Sequence, residues 1–329
     1  MLLLMHHFFV INPHSFPDIK IFGQVKEEID SCFQNEDKNL YKIFISRYSR
    51  DAIGAIHHYI SSLSSDETIR VYAVGGDGIL FDCLNGMVDF PNAELTSVPY
   101  GNSNDFVRIF GSSSLLAFRN IKSLINSPSR PVDIIHCGAN FSLIEVCIGV
   151  MGQSVIYSNN AFRRFPNKLT RLFMPYIYMI SGLLSLSKKE LIQQSYTVSI
   201  DNEDLSGKYS NIHISNGPCD GRTLIPSPYA IPDDGLLDVI FTGSSSRLRI
   251  ATVIQDYLKG WFEKYKLFIY KRCRVVEVKS DDLMRVAMDG ETFYAKELKI
   301  SIIKGGIKFF TPPGMNFEDY SKKAYKRKK

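Results

Sequence analysis

Apolar and polar positions follow two different rhythms along this chain, and the change falls near Pro131. Up to there, short β-branched runs alternate with stretches of helical periodicity. Leu2 to Ile11 predicts a strand, Ile19 to Phe33 an amphipathic helix, Tyr41 to Ser46 a strand, Arg50 to Leu63 a helix, Ile69 to Val74 a strand, Ile79 to Met87 a helix and Ala93 to Pro99 a strand. That alternation implies a parallel sheet with helices on both faces, and it puts any ligand at the carboxyl ends of the strands. Beyond Pro131 come short strands bounded by turn signals: Val132 to Cys137, Phe141 to Ile148, Tyr196 to Ile200, Tyr209 to Ser215, Leu237 to Phe241, Cys273 to Lys279, Leu283 to Met288 and Lys299 to Ile303. Two interruptions read as helices, Asn167 to Lys189 and Arg247 to Tyr265. The expected architecture is α/β plus all-β. It comprises an N-terminal Rossmann-like α/β domain over 1–128, an antiparallel β-sandwich domain with helical insertions over 129–308, and a segment over 309–329 that returns toward the first domain and ends in a basic tail.

Composition narrows the class. At 329 residues, 45% hydrophobic and 22% charged, the chain fits a soluble protein of about two domains. Its six cysteines are scattered with no C-x-x-C pair, which predicts reduced, buried thiols of a cytoplasmic protein and no disulfide framework or zinc site. Met1 to Ile11 is apolar but has no basic leader and no cleavage site, and it runs into Asn12-Pro13, so it reads as a first buried strand. The apolar stretch Leu172 to Leu186 is broken by Pro175 and Gly182 and is too short to cross a bilayer. The net charge of +5 gathers partly in the tail Lys322, Lys323, Lys326, Arg327, Lys328 and Lys329, which suits either a solubilising end or attraction to an anionic membrane surface or nucleic acid.

The candidate chemistry sits in loops. Arg70 to Val74 breaks into Gly75-Gly76-Asp77-Gly78 and resumes as a helical pattern, a strand, turn and helix that would present backbone N–H groups to phosphate. Asp77 would compete with phosphate for the positive helix end unless a cation lay between them, so the loop suggests a nucleotide with Mg²⁺; the bland alternative is an ordinary glycine turn. Two further loops belong to the same predicted sheet edge. One is Asn12-Pro13-His14-Ser15; the other is Gly101-Asn102-Ser103-Asn104-Asp105, which could equally be a helix N-cap. In the second domain, Asp233-Asp234-Gly235-Leu236-Leu237-Asp238 crowds three carboxylates that would be solvated or held by a cation. Met288-Asp289-Gly290-Glu291 is either a hairpin turn or the seat of a general base. The apolar segment Asn167 to Lys189, with Arg163, Arg164, Lys168 and Arg171 at its front, suits a cleft wall near a membrane surface or plain packing on the sandwich.

Taken in order, Gly75-Gly76-Asp77-Gly78, Gly101 to Arg108, Asp233 to Val239 and Asp289-Gly290-Glu291 resemble the diacylglycerol kinase catalytic family, bacterial lipid kinases related to sphingosine kinases. The resemblance implies an ATP site at Asn12 through Phe16, at Ser46 and at Gly76 through Asp82, taking in Ile79, with Asn102 where the family carries a nucleotide-contacting Thr. It implies Mg²⁺ at Asp77, Asp105 and Asp133, and a second, structural Mg²⁺ at the Asp234 side chain and the Ile231 and Leu236 carbonyls. It makes Asp289 and Glu291 the candidates for the base. The sequence departs from the family at Ile79, where Thr is usual, at Asn102, and at Pro218-Cys219-Asp220-Gly221.

The expected function is transfer of the ATP γ-phosphoryl group to a lipid hydroxyl, diacylglycerol giving phosphatidic acid, by a cytoplasmic enzyme peripherally bound to the inner face of the membrane. No nucleic-acid partner is expected, and an exposed β edge leaves a homodimer open. The alternatives are a soluble-acceptor kinase of the NAD kinase-like superfamily and a catalytically silent nucleotide- or lipid-binding protein.

Overall fold

The computed structural model describes residues 5–33, 40–164, 173–221 and 224–322. The chain divides into two compact units, Met1–Ile134 with Lys304–Glu318, and Ile135–Ile303 with Asp319–Lys329. The first unit thus runs past residue 128 to Ile134 and reclaims the chain already at Lys304 rather than at 309.

The first unit alternates β1 (Met5–Ile11), α1 (Ile19–Cys32), β2 (Tyr41–Ile45), α2 (Asp51–Ser61), β3 (Thr68–Gly75), α3 (Asp77–Met87) and β4 (Ala93–Pro99). Three short helices follow, α4 (Asp105–Arg108), α5 (Ser114–Ala117) and α6 (Ile121–Ile125), and then β5 (Ser129–Cys137). Strands β1 to β4 pair in parallel in the order β2–β1–β3–β4, and Lys308 and Phe309 near the end of the chain add a further parallel partner to β4. Burial on both faces explains the near-continuous apolar runs: Phe8 through Ile11 and Val71 through Val74 are all fully or almost fully inaccessible. The order reverses at β1 and β3, and at such a switch point the loops that follow the strands part to leave a crevice.

The second unit contains β6 (Asn140–Ser142), β7 (Glu145–Gly149), α7 (Val150–Arg164), α8 (Met174–Leu186), α9 (Lys189–Ile192), β8 (Gln194–Ile200), β9 (Glu203–Asp204), β10 (Gly207–Ser215), β11 (Leu237–Gly243), α10 (Arg247–Tyr257), β12 (Phe268–Cys273), β13 (Val275–Met288) and β14 (Glu291–Phe310), the last of these running on into the first unit. Antiparallel pairing runs β12–β11–β10–β7–β13–β14. Strand β13 closes the sandwich because it is long and irregular. Val276 to Lys279 pair with β8, Val286 to Met288 pair with β7, and the register against β14 shifts between Lys279 and Met284. The runs Cys273 to Lys279 and Leu283 to Met288, expected as separate strands, therefore fall almost wholly within one element.

Helical content also differs from expectation. Helix α7, unforeseen, covers Val150–Arg164 and buries Gln153 and Ser158 beside Val150 and Gly152. Its packed face is too polar to show an apolar stripe. A Cβ on Gly152 would come within 2.2 Å of the Arg285 carbonyl oxygen, so close backbone approach replaces side-chain burial there. The helix expected from Asn167 is seen as α8 from Met174; Lys168 and Arg171 lie outside the described residues, as does the tail beyond Lys322. Helix α10 ends at Tyr257 rather than at Tyr265, with Gly260 in a left-handed conformation soon after.

Candidate functional site

Three loops of the first unit meet at the ends of β1, β3 and β4. Asn12 donates its N–H to the Val74 carbonyl at 3.0 Å, and its side chain accepts the His14 N–H at 3.0 Å, closing the Pro13–Ser15 turn. Both Tyr100 and Gly101 donate backbone N–H to the Gly75 carbonyl, at 2.7 and 2.9 Å. A Cβ built on Gly101 would lie 2.2 Å from the Gly76 Cα, and one on Gly75 would lie 2.8 Å from Ile79 Cγ2 and 3.0 Å from Ser15 Oγ. These glycines are required by loops touching each other. Gly78 differs: it is exposed, and a Cβ there would meet nothing within 4 Å. The first turn of α3 therefore faces open space on that side, with its backbone N–H groups available to an anion.

Asp77 joins two of the loops. Its carboxylate accepts the Asn104 N–H at 2.7 Å and the Asp105 N–H at 2.8 Å, one on each oxygen, and so caps α4 from the first residue of α3. Asn104 takes the left-handed conformation that this requires, and its side-chain amide exchanges hydrogen bonds with Gly101, accepting at 3.1 Å and donating at 2.8 Å. The structure thereby brings together Asn12, Ser15, Gly75, Gly76, Gly101, Asn104, Asp77 and Asp105; Asn102 is exposed beside them.

Other expected residues have different surroundings. The Ser46 hydroxyl donates to Asp51 at 2.7 Å and to the Tyr48 carbonyl at 3.2 Å, shaping the entry to α2. Ile79 is 3% exposed and packs under Gly75, so only its backbone remains for a nucleotide. Asp133 is buried on β5 and accepts the Gly305 N–H at 2.7 Å.

In the second unit, Asp289 and Gly290 both have positive φ, as a two-residue hairpin turn matched to strand twist demands. The Asp289 carboxylate accepts the Leu143, Ile144 and Glu145 N–H groups at 2.8, 3.2 and 3.0 Å and the Ser142 hydroxyl at 2.6 Å. Burial raises its pKa, and those donors oppose the rise. Glu291 is half-buried on the same turn.

Sequence reasoning missed a polar network on one face of this sheet. Pairing sets His213 opposite Cys147 and Ser215 opposite Glu145. The Tyr257 hydroxyl lies 2.6 Å from His213 Nδ1, Glu145 Oε2 lies 2.7 Å from Nε2, and the Ser215 hydroxyl lies 2.9 Å from Nε2 and 2.7 Å from the Ser227 hydroxyl. Burial lowers the His213 pKa to about 4, so the neutral ring accepts from Tyr257 and donates to Glu145. The ligand atoms of Glu145, Cys147 and His213 lie within 4.8 Å of one another, but both imidazole nitrogens are already engaged. The signal for this network was polar residues at period two inside strands otherwise buried.

At the Asp233–Asp238 turn, one Asp234 oxygen accepts the Leu236 N–H at 3.0 Å and the other pairs with the Arg272 guanidinium, whose Nε lies 3.6 Å from Asp238. The second Asp238 oxygen accepts the Tyr270 hydroxyl, and burial pushes the Asp238 carboxyl up to about 6. The one side chain assigned to a structural Mg²⁺ thus already carries a cation, and the residues present do not fit the metal.

Comparison with known proteins agrees with this layout. Residues 7–137 match the diacylglycerol kinase catalytic domain, and residues 157–310 match the YegS C-terminal NAD kinase beta sandwich-like domain. A Shewanella frigidimarina protein named probable lipid kinase YegS-like is 25% identical over 259 residues, 78% of this chain and 80% of that protein. A protein of the same name from Pseudomonas fluorescens is 23% identical over 291 residues, 88% and 90% of the two chains. The crystal structure of a diacylglycerol kinase from Bacillus anthracis str. Sterne shares the fold, with a TM-score of 0.67 at 18% identity over 94% of this chain and 98% of that one. The chain belongs to the diacylglycerol kinase catalytic-domain family, with a YegS-type β-sandwich domain following the catalytic domain.

Proposed function

We propose that this protein is a lipid kinase that transfers the γ-phosphoryl group of ATP, with Mg²⁺, to a lipid hydroxyl, diacylglycerol being the acceptor. The observation that carries the reading is the meeting of three loops around the open first turn of α3, with Asp77 fixed at its start. Phosphoryl transfer needs positioning and charge neutralisation more than covalent chemistry. Backbone N–H groups of α3 would hold phosphate oxygens; Asn12, Ser15 and Asn102 offer polar groups around them. Asp77, which accepts one backbone N–H on each oxygen, forms with Asp105 a hard-oxygen donor set that suits Mg²⁺. When bound, that ion offsets the charge on the β- and γ-phosphates.

For the proton of the acceptor hydroxyl, Glu291 is the better base. Asp289 has both oxygens committed to the Ser142–Glu145 segment, whereas Glu291 sits half-buried on the same turn. Helix α8 supports lipid as the acceptor class. Tyr176, Met179, Ile180, Leu183 and Leu184 are each more than half exposed, and the exposed Arg163 and Arg164 end α7, the helix it packs on. An apolar helix flanked by arginines fits the interface of an anionic bilayer, and we assign peripheral contact with the membrane to this face. Among the described residues no helix is long and apolar enough to cross a membrane.

Incubation with labelled ATP, Mg²⁺ and vesicles of mixed diacylglycerol and anionic phospholipid tests the reading. Label should enter the lipid phase, and Asp77→Asn should lower the rate by about 10³-fold or more. Label in a soluble product only, or undiminished turnover by Asp77→Asn, would overturn it.

A further inference from the structure

We infer that Arg272 takes the place of a structural metal ion in the second unit: its guanidinium, held between Asp234 and Asp238, is the cation that closes the Asp233–Asp238 turn. The turn brings three carboxylates into six residues, and such a cluster needs a counter-charge to stay compact. Three of the four oxygens of the two inner carboxylates accept a hydrogen bond, and the fourth, on Asp238, faces the Arg272 guanidinium. Asp234 accepts the Leu236 N–H on one oxygen and the Arg272 guanidinium on the other; Asp238 accepts the Tyr270 hydroxyl on one and faces Arg272 Nε at 3.6 Å on the other. The Ile231 carbonyl accepts the Asp234 N–H at 3.4 Å.

Geometry and charge both favour the guanidinium. Mg²⁺ demands a near-octahedral shell of oxygens at about 2.1 Å and sheds water reluctantly. To reach Asp234 it would have to displace Arg272 and then sit within a few ångströms of a second cation, with Asp234 as the side-chain ligand. The planar guanidinium spans both carboxylates in one rigid fork and stays charged at every working pH. Its anchorage is built into the sheet, because Asp238 on β11 is the direct partner of Arg272 on β12. The arrangement is independent of the phosphoryl-transfer reading, since it concerns how the second unit holds its own turn.

Mn²⁺ binding followed by electron paramagnetic resonance, on the full chain without nucleotide or lipid, tests the inference. Wild-type protein and Asp234→Asn should bind the same number of Mn²⁺ ions. Arg272→Met should gain one site per chain, lost again in the Arg272→Met/Asp234→Asn double variant. Its melting temperature, a few degrees below wild type in chelator, should recover on adding Mn²⁺. A wild-type site that disappears in Asp234→Asn would overturn the inference, and so would Arg272→Met that folds yet gains no site. If Arg272→Met does not fold, the wild-type and Asp234→Asn pair still decides. Failure of lipid phosphorylation would leave these readouts unchanged, so the two proposals fail separately.

Discussion

In the first unit the Asp77 carboxylate receives two backbone N–H groups at the start of a helix whose next residue, Gly78, faces open space. In the second unit the Asp289 carboxylate receives three backbone N–H groups and a hydroxyl, folded under the segment between β6 and β7. Both are aspartates beside a glycine, and both were expected to do chemistry. What separates them is their setting. Asp77 braces two loops at a helix start that is open beside Gly78, whereas Asp289, its pKa raised by burial, spends its carboxylate on holding the chain.

The sharpest way to break this comparison lies in the glycines. Gly101→Ala places a methyl 2.2 Å from the Gly76 Cα, backbone against side chain with no rotamer to escape through, and should cost about 3 kcal/mol or prevent folding altogether. Gly78→Ala meets nothing and replaces a helical glycine, so it should stabilise by up to about 1 kcal/mol in urea unfolding while weakening ATP binding. If Gly78→Ala bound ATP as tightly as wild type, the open side of α3 would not be the nucleotide side.

The next effect separates the two carboxylates of the hairpin. Asp289→Ala leaves three backbone donors and a hydroxyl without their acceptor and should lower stability by about 3 kcal/mol. Glu291→Gln should alter stability by less than about 0.5 kcal/mol yet reduce kcat by about 10²-fold. A stable Asp289→Ala with lost turnover, beside an active Glu291→Gln, would reverse the assignment.

A smaller, pH-dependent effect probes the second unit's own polar core. His213 has a folded pKa of about 4, below its unfolded value near 6.5. The unfolded chain therefore takes up the proton first, and the stability that the neutral ring contributes is present above about pH 6.5 and lost as pH falls toward 4. His213→Asn should be less stable than wild type at pH 7.5, with the gap narrowing by roughly 1–2 kcal/mol by pH 5. The raised carboxyls of Asp238 and Asp289 act in the opposite direction but are common to both proteins, so they cancel in the difference. A gap constant with pH would mean that the ring titrates alike in the folded and unfolded chains.

Period and turn chemistry carried much of this structure in plain view. The parallel β1, β3 and β4 were legible because buried strands leave near-continuous apolar runs closed by turn residues, and the loops after them followed from the ordering rule for such sheets. Helix α7 was not legible, because it buries Gln153, Ser158 and a bare Gly152 instead of an apolar stripe. Nor were the distant partners of Asp234 and Asp289: Arg272 lies far along the chain from Asp234, and Ser142 from Asp289, and nothing local announces a contact at that separation. Sequence spacing found which residues carry charge; only the fold says which of those charges are already met.

The smallest expected effect concerns Ile79, the position at which the family resemblance implies a Thr. With Ile79 Cγ2 close to where a Gly75 side chain would begin, and with 3% of the residue exposed, the side chain fills the space beneath the glycine turn and does not face the ligand side. Threonine there would exchange an ethyl group for a hydroxyl in an apolar spot beneath the turn. Ile79→Thr should therefore lower stability by about 1 kcal/mol in urea unfolding and leave the KM for ATP unchanged. A KM that fell with the substitution would show that position 79 reaches the phosphates after all, and would move the ligand side of α3 from Gly78 toward the turn above Ile79.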